Sequence, residues 1–91
     1  MIRIVFDAEN SQALAMDDAF PIGECTYMES GDTWIVDHTG VREPYGGQGI
    51  AGKLVDEVFR QARTRGMKIL PLCSYAAKVM QENPEYSDLR I

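Results

Sequence analysis

The sequence predicts an α+β (α/β) fold in which a mostly antiparallel sheet contains one parallel β-loop-α-β unit, in the order β-β-β-β-α-β-α. Three observations lead to this prediction. No helical periodicity precedes residue 46, and the apolar segments before it are short and rich in β-branched residues, as in strands. From residue 48 the apolar residues recur every three or four positions, as in a helix. A cluster of glycines separates the two patterns.

Four strands precede the glycines. They are predicted at residues 2–6, 12–17, 22–29 and 33–41. A turn at Asp17-Asp18 follows the second strand, and the turn Ser30-Gly31-Asp32 joins the third strand to the fourth. Because that connection is short, the last two strands are expected to form an antiparallel hairpin.

The first helix is predicted over residues 48–65. Its apolar positions form one stripe: Ile50, Ala51, Leu54, Val55, Val58, Phe59 and Ala62. Residues 67–73 form a short apolar run typical of a buried strand. Ser74 is placed to cap a second helix at residues 75–83, which must end before Pro84.

Strand 33–41, helix 48–65 and strand 67–73 make up the β-loop-α-β unit. A crossover of that length makes its two strands parallel and is almost always right-handed. The glycine loop then lies where a strand leads into a helix N-terminus, whose free N–H groups and positive dipole end attract anions. The topology therefore predicts an anion site at this loop.

Composition limits the class of protein. The 91 residues, 45% of them hydrophobic and 25% charged, predict a single domain that covers residues 1–91. No apolar run approaches the roughly 20 residues of a membrane-spanning helix, and the N-terminus lacks the features of a secretory signal. We therefore expect a cytoplasmic protein that does not associate with a membrane.

Charge and residue types exclude further classes. The net charge of −5 argues against nucleic acid, and one histidine with two separated cysteines predicts neither a metal site nor a disulfide framework. Residues 1–40 hold eight acids and one base, whereas residues 41–91 hold six acids and eight bases. This asymmetry fits ordinary solvated faces, or a cationic substrate near the first half and an anionic ligand near the second.

Three phosphate-binding signatures overlap in the stretch YGGQGIAGKL, residues 45–54. Residues 47–52 fit the dinucleotide fingerprint G-x-G-x-x-G, and residues 47–53 fit most of the P-loop, G-x-x-x-x-G-K. Residues 46–51 fall on the acyl-CoA pyrophosphate loop, Q/R-x-x-G-x-G/A. The residues around the loop decide among them.

Two of these signatures lack the residues that their ligands need. A dinucleotide fold requires an acid after the next strand, where this chain has Leu72 and Cys73, and too few residues follow to complete its sheet. A P-loop requires Ser or Thr after its lysine, but Leu54 follows and belongs to the apolar stripe. An acyl-CoA loop needs only small residues at a helix start. The remaining alternative is that the glycines merely permit a tight turn.

Four stretches in the C-terminal half carry a resemblance to a known family: DHTGV (37–41), GGQGIAGKLV (46–55), KILPLCSYA (68–76) and NPEYSDL (83–89). They resemble the short single-domain branch of the GCN5-related N-acetyltransferases. The resemblance implies a minimal form of that fold, with acetyl-CoA as cofactor. The residues it implies for cofactor binding are Gly46, Gly47, Gln48, Gly49, Ile50 and Ala51, with Thr39 and Val41 on the preceding strand.

The loop departs from the family pattern at its first position. The family is expected to have a basic or amide side chain there, and this chain has Gly46. One side-chain contact to the pyrophosphate is therefore missing, and the backbone cradle remains. We expect weaker binding of coenzyme A than is typical of the family.

Two side chains are candidates for the chemistry, because the resemblance implies a thioester near the ends of strands 33–41 and 67–73. His38 suits a base for the amine, since imidazole exchanges protons near neutral pH; strand alternation places it on the face of Trp34 and Val36. It is otherwise a structural histidine at a strand end.

Cys73 is the second candidate for a catalytic residue. It stands before a predicted helix N-terminus, whose dipole favours the thiolate. It would accept the acetyl group covalently, assist the leaving thiol, or serve only as a small buried residue. Tyr75 is an alternative acid, although helix packing explains it equally well, and Cys25 is interpreted as structural.

The sequence thus predicts an N-acetyltransferase that moves acetyl from acetyl-CoA to an amine of unknown identity, which the acidic first half suggests is cationic. An open acceptor site is expected, because the chain lacks the additional helices of longer relatives. The alternative is a module that binds coenzyme A or a protein without turnover. A third reading leaves the glycine loop as a turn with no ligand.

Overall fold

The computed structural model describes all residues from Met1 to Ile91. Five strands form one sheet in the order β1-β2-β3-β4-β5. Their bounds are β1 Ile2–Asp7, β2 Gln12–Asp17, β3 Phe20–Ser30, β4 Thr33–Val41 and β5 Lys68–Pro71. Neighbours from β1 to β4 are antiparallel, and β4 pairs with β5 in parallel. The predicted fold class and element order are confirmed.

Two α-helices complete the fold, α1 at Ile50–Thr64 and α2 at Ser74–Glu82. The apolar stripe of α1 packs against all five strands, and six of its side chains are buried: Ile50, Leu54, Val55, Val58, Phe59 and Ala62. Neither helix is long and apolar enough to cross a membrane. On the same side of the sheet, the ring of Tyr27 stacks on Trp34 with centroids 3.9 Å apart.

Several predicted boundaries were wrong. Helix α1 begins at Ile50 rather than residue 48, because Gly49 adopts a left-handed conformation and ends the loop. Strand β5 is limited to Lys68–Pro71, since the chain turns towards α2 after Pro71. Ser74 is the first helical residue and makes no capping hydrogen bond; Cys73 occupies the N-cap position.

Two short 3-10 helices were not predicted. The first, Ala8–Asn10, makes the connection between β1 and β2. The second, Pro84–Leu89, begins with the proline that ends α2 and returns the chain to the core, where Tyr86 packs edge-on against Phe59 with centroids 4.9 Å apart. The packing of Tyr86 on Phe59 is a long-range contact, and the local sequence carries no signal for it.

The predicted orientation of His38 was also wrong. Along β4, Trp34 and Val36 face the core, and strict alternation would place His38 beside them. The pairing with β3 shifts by one residue here, from Val36 opposite Tyr27 to His38 opposite Thr26. This β-bulge reverses which residues face inward. His38 consequently lies on the outer face with its side chain 56% exposed.

The two parallel strands separate just after the bulge. Pairing of β4 with β5 ends at Val36 opposite Pro71, although β4 continues to Val41. The carbonyl of Val36 then accepts hydrogen bonds from the N–H groups of both Leu72 and Cys73, at 3.0 and 2.9 Å. Beyond this point a gap opens between the end of β4 and the start of α2, and the glycine loop lies at that end of the sheet.

Candidate active site

The glycine loop is shaped by two residues in the left-handed region. Gly47 has φ = +79° and Gly49 has φ = +77°, a backbone conformation that other residues rarely adopt. Gly49 is the N-cap of α1, so the second of these turns directs the chain into the helix. A Cβ atom at either position would meet no atom within 4 Å, and the inner surface of the loop is open.

The backbone of this loop presents a run of free donors. The N–H groups from Gly46 to Gly52 make no hydrogen bond within the protein, and the first paired donor is Lys53, which bonds to the carbonyl of Gly49 at 3.3 Å. No side chain caps α1 and no acidic residue occupies its first turn. Free N–H groups at the positive end of a helix dipole attract an anionic group.

A cavity of about 230 Å³ opens beside these donors. It is lined by Val41 of β4, by Tyr75 of α2 and by six residues of the loop and the start of α1: Tyr45, Gly46, Gly47, Gly49, Ile50 and Ala51. The cavity thus extends from the helix N-terminus towards the gap between β4 and α2. An anionic group bound in this cavity would lie beside the free N–H groups of the loop.

Tyr45 ties the start of the loop to the sheet. Its hydroxyl donates a hydrogen bond of 2.5 Å to Oδ2 of Asp17 at the end of β2. This bond raises the pKa of Tyr45 and lowers the pKa of Asp17, as expected when the carboxylate is the acceptor. Sequence reasoning missed Tyr45, because a long-range hydrogen bond leaves no local pattern.

Cys73 lies at the inner side of the gap. Its Sγ is 3.5 Å from Oγ1 of Thr39, which lies 3.5 Å from Sγ of Cys25 on its other side. Burial raises the pKa of the Cys73 thiol, but the Thr39 hydroxyl and the backbone N–H groups of Ala76 and Tyr75 outweigh it, so its pKa is lowered overall. The lowered pKa increases the fraction of thiolate, and the side chain of Cys73 is partly exposed.

His38 lies on the opposite face of β4. Its Nε2 is 2.8 Å from Oε2 of Glu24 on β3, and the next pair along these strands joins Oγ1 of Thr26 to Oδ1 of Asp37 at 2.7 Å. Both pairs are exposed to solvent. The carboxylate of Glu24 holds the ring of His38 in a defined orientation over the outer face.

The predicted site residues therefore divide into three groups. Val41, Gly46, Gly47, Gly49, Ile50 and Ala51 line the cavity, whereas the side chain of Gln48 is exposed on the loop outside it. Thr39 contacts Cys73 rather than the cavity wall. His38 and Cys73 are not brought together, because they lie on opposite faces of β4.

The sheet, the separated parallel strands and the glycine loop define an acyltransferase of the GCN5-related type. A profile of the GCN5-related N-acetyl-transferase family matches residues 12–89. The chain belongs to this family. Comparison with curated proteins gave no match.

Solved structures agree with this assignment. A GCN5-like protein from Staphylococcus aureus, determined by NMR in solution, is 30% identical over 98% of this chain and 87% of its own, with a TM-score of 0.76. A GCN5-related N-acetyltransferase from Sphaerobacter thermophilus is 29% identical over 68% of this chain, with a TM-score of 0.64. An IAA acetyltransferase from Bacillus cereus ATCC 14579 is 22% identical over 78% of this chain and shares the fold, with a TM-score of 0.63.

The last two proteins are much longer than this one. The matched region covers 21% of the Sphaerobacter protein and 51% of the Bacillus protein. The Staphylococcus protein, in contrast, is matched over 87% of its length. The similarity to these two longer proteins therefore concerns only part of each of them.

Proposed function

We propose that this protein transfers acetyl from acetyl-CoA to an amine. The observation that carries the proposal is the run of unpaired N–H groups from Gly46 to Gly52 at the mouth of the cavity. A pyrophosphate is an anion of suitable size for such a cradle, and it needs neither a metal nor a basic side chain. Acetyl-CoA, when bound, supplies an acetyl group activated as a thioester.

Different residues of the chain would contact different parts of the bound ligand. The backbone of residues 46–51 would hold the pyrophosphate, including Gln48 through its N–H group. Val41 and Tyr75 line the route from this loop towards the gap between β4 and α2. Thr39 and Cys73 stand in that gap. An extended ligand anchored at the loop would therefore present its far end to these two side chains.

Cys73 is the residue that we propose takes up the acetyl group. A lowered pKa increases the fraction of thiolate, which is the form that attacks a thioester. The thiolate of Cys73 would form a bond to the acetyl carbon as the bond between that carbon and the sulfur of coenzyme A breaks, and coenzyme A would leave as a thiolate. An amine then attacks the acetylated side chain, its C–S bond breaks, and the Cys73 thiolate is restored.

His38 is proposed as the base that takes the proton of the attacking amine. Its partner Glu24 would stabilise the imidazolium that forms. Because His38 lies on the outer face and Cys73 at the inner side of the gap, the amine would lose its proton to His38 on the outer face before it reaches the acetyl group through the gap between β4 and α2. Glu24 and Asp37 on that face favour a cationic acceptor, such as a polyamine or a lysine side chain.

A module that binds coenzyme A without turnover is the competing proposal, and the separation of His38 from Cys73 is the observation that favours it. One experiment separates the two. Acetyl-CoA is titrated in a thermal-shift assay, intact mass is recorded on the same samples, and free thiol is followed after addition of spermidine. The matched variant is Cys73→Ser.

We expect three results for an enzyme. Acetyl-CoA at about 100 times its dissociation constant stabilises the fold by roughly 2.7 kcal/mol, which raises Tm measurably for so small a protein. One acetyl group appears on the wild type and none on Cys73→Ser, which keeps the thermal shift. Addition of spermidine releases free thiol with the wild type and not with Cys73→Ser. A shift with neither adduct nor thiol release would support the binding module, and no shift at millimolar acetyl-CoA would overturn both.

A further inference from the structure

Three side chains on neighbouring segments form a continuous line next to the gap. Cys25 on β3, Thr39 on β4 and Cys73 before α2 are joined by two contacts of 3.5 Å, each between a sulfur and Oγ1 of Thr39. Cys25 is completely buried, and Cys73 is partly exposed. Nothing in the proposed reaction yet uses Cys25, which the sequence indicated only as a structural residue.

The hydrogen atoms along this line can be counted. While Cys73 is a thiol, its S–H donates to Thr39 and the single hydroxyl proton of Thr39 donates to Cys25. Once Cys73 is ionised, its sulfur can only accept. The hydroxyl of Thr39 must then turn towards Cys73, which leaves its lone pairs facing Cys25. The S–H group of Cys25 is then placed to donate a hydrogen bond to Oγ1 of Thr39.

This reversal requires Cys25 to remain protonated. Burial raises the pKa of the Cys25 thiol to about 11, against the opposing effect of the Thr39 hydroxyl, and the nearby Cys73, Asp37 and Glu24 raise it further. No proton leaves Cys25 or Thr39 during the change. Both hydrogen bonds simply reverse direction when Cys73 loses its proton.

The surroundings of Cys73 contain few competing charges. From α2 the sulfur meets the backbone N–H groups of Tyr75 and Ala76, and from β4 it meets Thr39. The carboxylates of Glu24 and Asp37 act on Cys25, and His38 lies on the other face of β4 paired with Glu24. The hydroxyl of Thr39 is therefore the side-chain donor available to the ionised sulfur.

We propose that Cys25 is a positioning residue for the reaction: through Thr39 it supplies the hydrogen bond that stabilises the ionised side chain of Cys73. This inference rests on the role proposed for Cys73. The role of Cys25 depends on its S–H group as a donor, and not only on its volume in the core.

The test is the pH dependence of alkylation of Cys73 by iodoacetamide, followed by intact mass on the full chain. Cys25 is buried, so the wild type is expected to take up one label. Cys25→Ala and Thr39→Val remove the donors, and Cys25→Ser and Thr39→Ser keep an O–H group in each place. The alkylation rate depends on the thiolate fraction of Cys73 and needs no acetyl-CoA.

We expect Cys25→Ala and Thr39→Val to lower the alkylation rate near pH 7.5 by roughly three- to tenfold, with the midpoint of the pH profile moved upward. Cys25→Ser and Thr39→Ser should keep the wild-type midpoint. Equal midpoints in wild type, Cys25→Ala and Thr39→Val would overturn the proposal. So would an upward shift in Cys25→Ser as large as that in Cys25→Ala, because volume alone would then explain it.

Failure of the proposed function gives a different pattern. If the midpoints shift as expected but acetyl-CoA leaves no adduct on Cys73, the role of Cys25 is supported and acetylation of Cys73 is excluded. If the adduct forms and the midpoints do not move, acetylation of Cys73 is supported and the proposed role of Cys25 is wrong. Where Cys25→Ala does not fold, Cys25→Val against Cys25→Ser supplies the same comparison, because valine fills the core without a donor and serine keeps one.

Discussion

Val36 and Pro71 form the last pair of the parallel ladder between β4 and β5. On one strand the bulge at Asp37 follows immediately, and on the other the chain turns into α2. The carbonyl of Val36 receives the next two N–H groups, so sheet pairing ends without leaving those donors unpaired. The same residue pair thus marks where β4 and β5 separate and where the proposed acyl-transfer site begins.

The missing side chain at the start of the glycine loop can be restored. Gly46 does not have a positive φ, and a Cβ atom there would meet nothing within 4 Å, so a larger residue fits without strain. We expect Gly46→Arg to lower the dissociation constant for acetyl-CoA by about three- to tenfold, because a guanidinium adds a charge-assisted contact to the pyrophosphate. Isothermal titration calorimetry measures this change.

Gly46→Glu is the matched control, since it introduces a flexible side chain of opposite charge at the same open position. It should weaken binding of acetyl-CoA, and salt should reduce the difference between the two variants. Equal dissociation constants for Gly46→Arg and Gly46→Glu would mean that no anionic group binds at this end of the loop.

Cys73 is proposed to take up the acetyl group and His38 to accept the proton of the amine. Substitutions of these two residues should therefore affect different steps. With His38→Gln, the acetyl adduct on Cys73 should still form, while its transfer to spermidine slows by about 10²–10³-fold, because the base is needed only for the amine. Glu24→Gln should slow the same step by a smaller factor, since it removes only the partner of the ring. Rapid-quench mass spectrometry follows both steps.

Asp37→Asn serves as the control on the outer face. It makes the same charge change as Glu24→Gln but affects the hydrogen bond with Thr26 and leaves the contact with His38 intact. Its transfer rate at saturating spermidine should match that of the wild type. If His38→Gln slows adduct formation as much as transfer, the two residues do not divide the reaction in this way.

The sequence was sufficient for the order of the strands and the two α-helices and for the glycine loop, because each depends on local patterns. The apolar stripe of α1 and the glycines before it determine a helix with a free N-terminus, whatever else surrounds them. The orientation of His38 was not predictable in this way. One extra residue at the bulge reverses the face of everything after Val36, and no glycine or proline between Val36 and His38 signals it.

The remaining features depend on residues far apart in the chain. Tyr45 reaches Asp17 across 28 positions, and Cys73 reaches Thr39 across 34. Such contacts exist only after the sheet has formed. The sequence could therefore name Cys73 and Thr39 as candidates for different roles, but not the line of hydrogen bonds that connects them to Cys25.

Alanine substitutions at two glycines should change the free energy of unfolding in opposite directions. A Cβ atom on Gly23 would lie 3.0 Å from the carbonyl oxygen of Gly40 and 3.2 Å from Cδ1 of Leu54, so Gly23→Ala should reduce the free energy of unfolding by about 1–3 kcal/mol. At Gly52, within α1, the new Cβ would make only an ordinary contact of 3.4 Å with the Tyr75 hydroxyl. Gly52→Ala should therefore raise the free energy of unfolding by about 0.5–1 kcal/mol.

Urea denaturation measures both glycine variants, and the slope with urea should be unchanged in each if only stability differs. If Gly23→Ala were more stable than the wild type, β3 and β4 could move apart at Gly40 without lowering the free energy of unfolding. Destabilisation of Gly52→Ala would mean that the contact with Tyr75 is strained, and hence that Tyr75 is held firmly at the cavity.

An ion pair between α1 and the C-terminal 3-10 helix should make the stability of the protein depend on pH. Nε and Nη2 of Arg63 donate to the two carboxylate oxygens of Asp88, at 3.1 and 2.7 Å. The guanidinium of Arg63 holds the pKa of Asp88 below its usual range. A carboxyl group whose pKa is lowered by folding stabilises the protein above the pKa of the unfolded chain, and loses that contribution as pH falls through the folded value.

Asp88→Asn should therefore be less stable than the wild type at pH 7, and the difference should shrink as pH falls below about 4. Glu85→Gln is the control, because it makes the same charge change on the same 3-10 helix while its side chain forms no hydrogen bond or ion pair. Urea denaturation at pH values from 7 to 3 measures both variants. A constant gap between Asp88→Asn and the wild type across this range would show that the pair with Arg63 does not hold the C-terminal segment on α1, and that the packing of Tyr86 against Phe59 is sufficient.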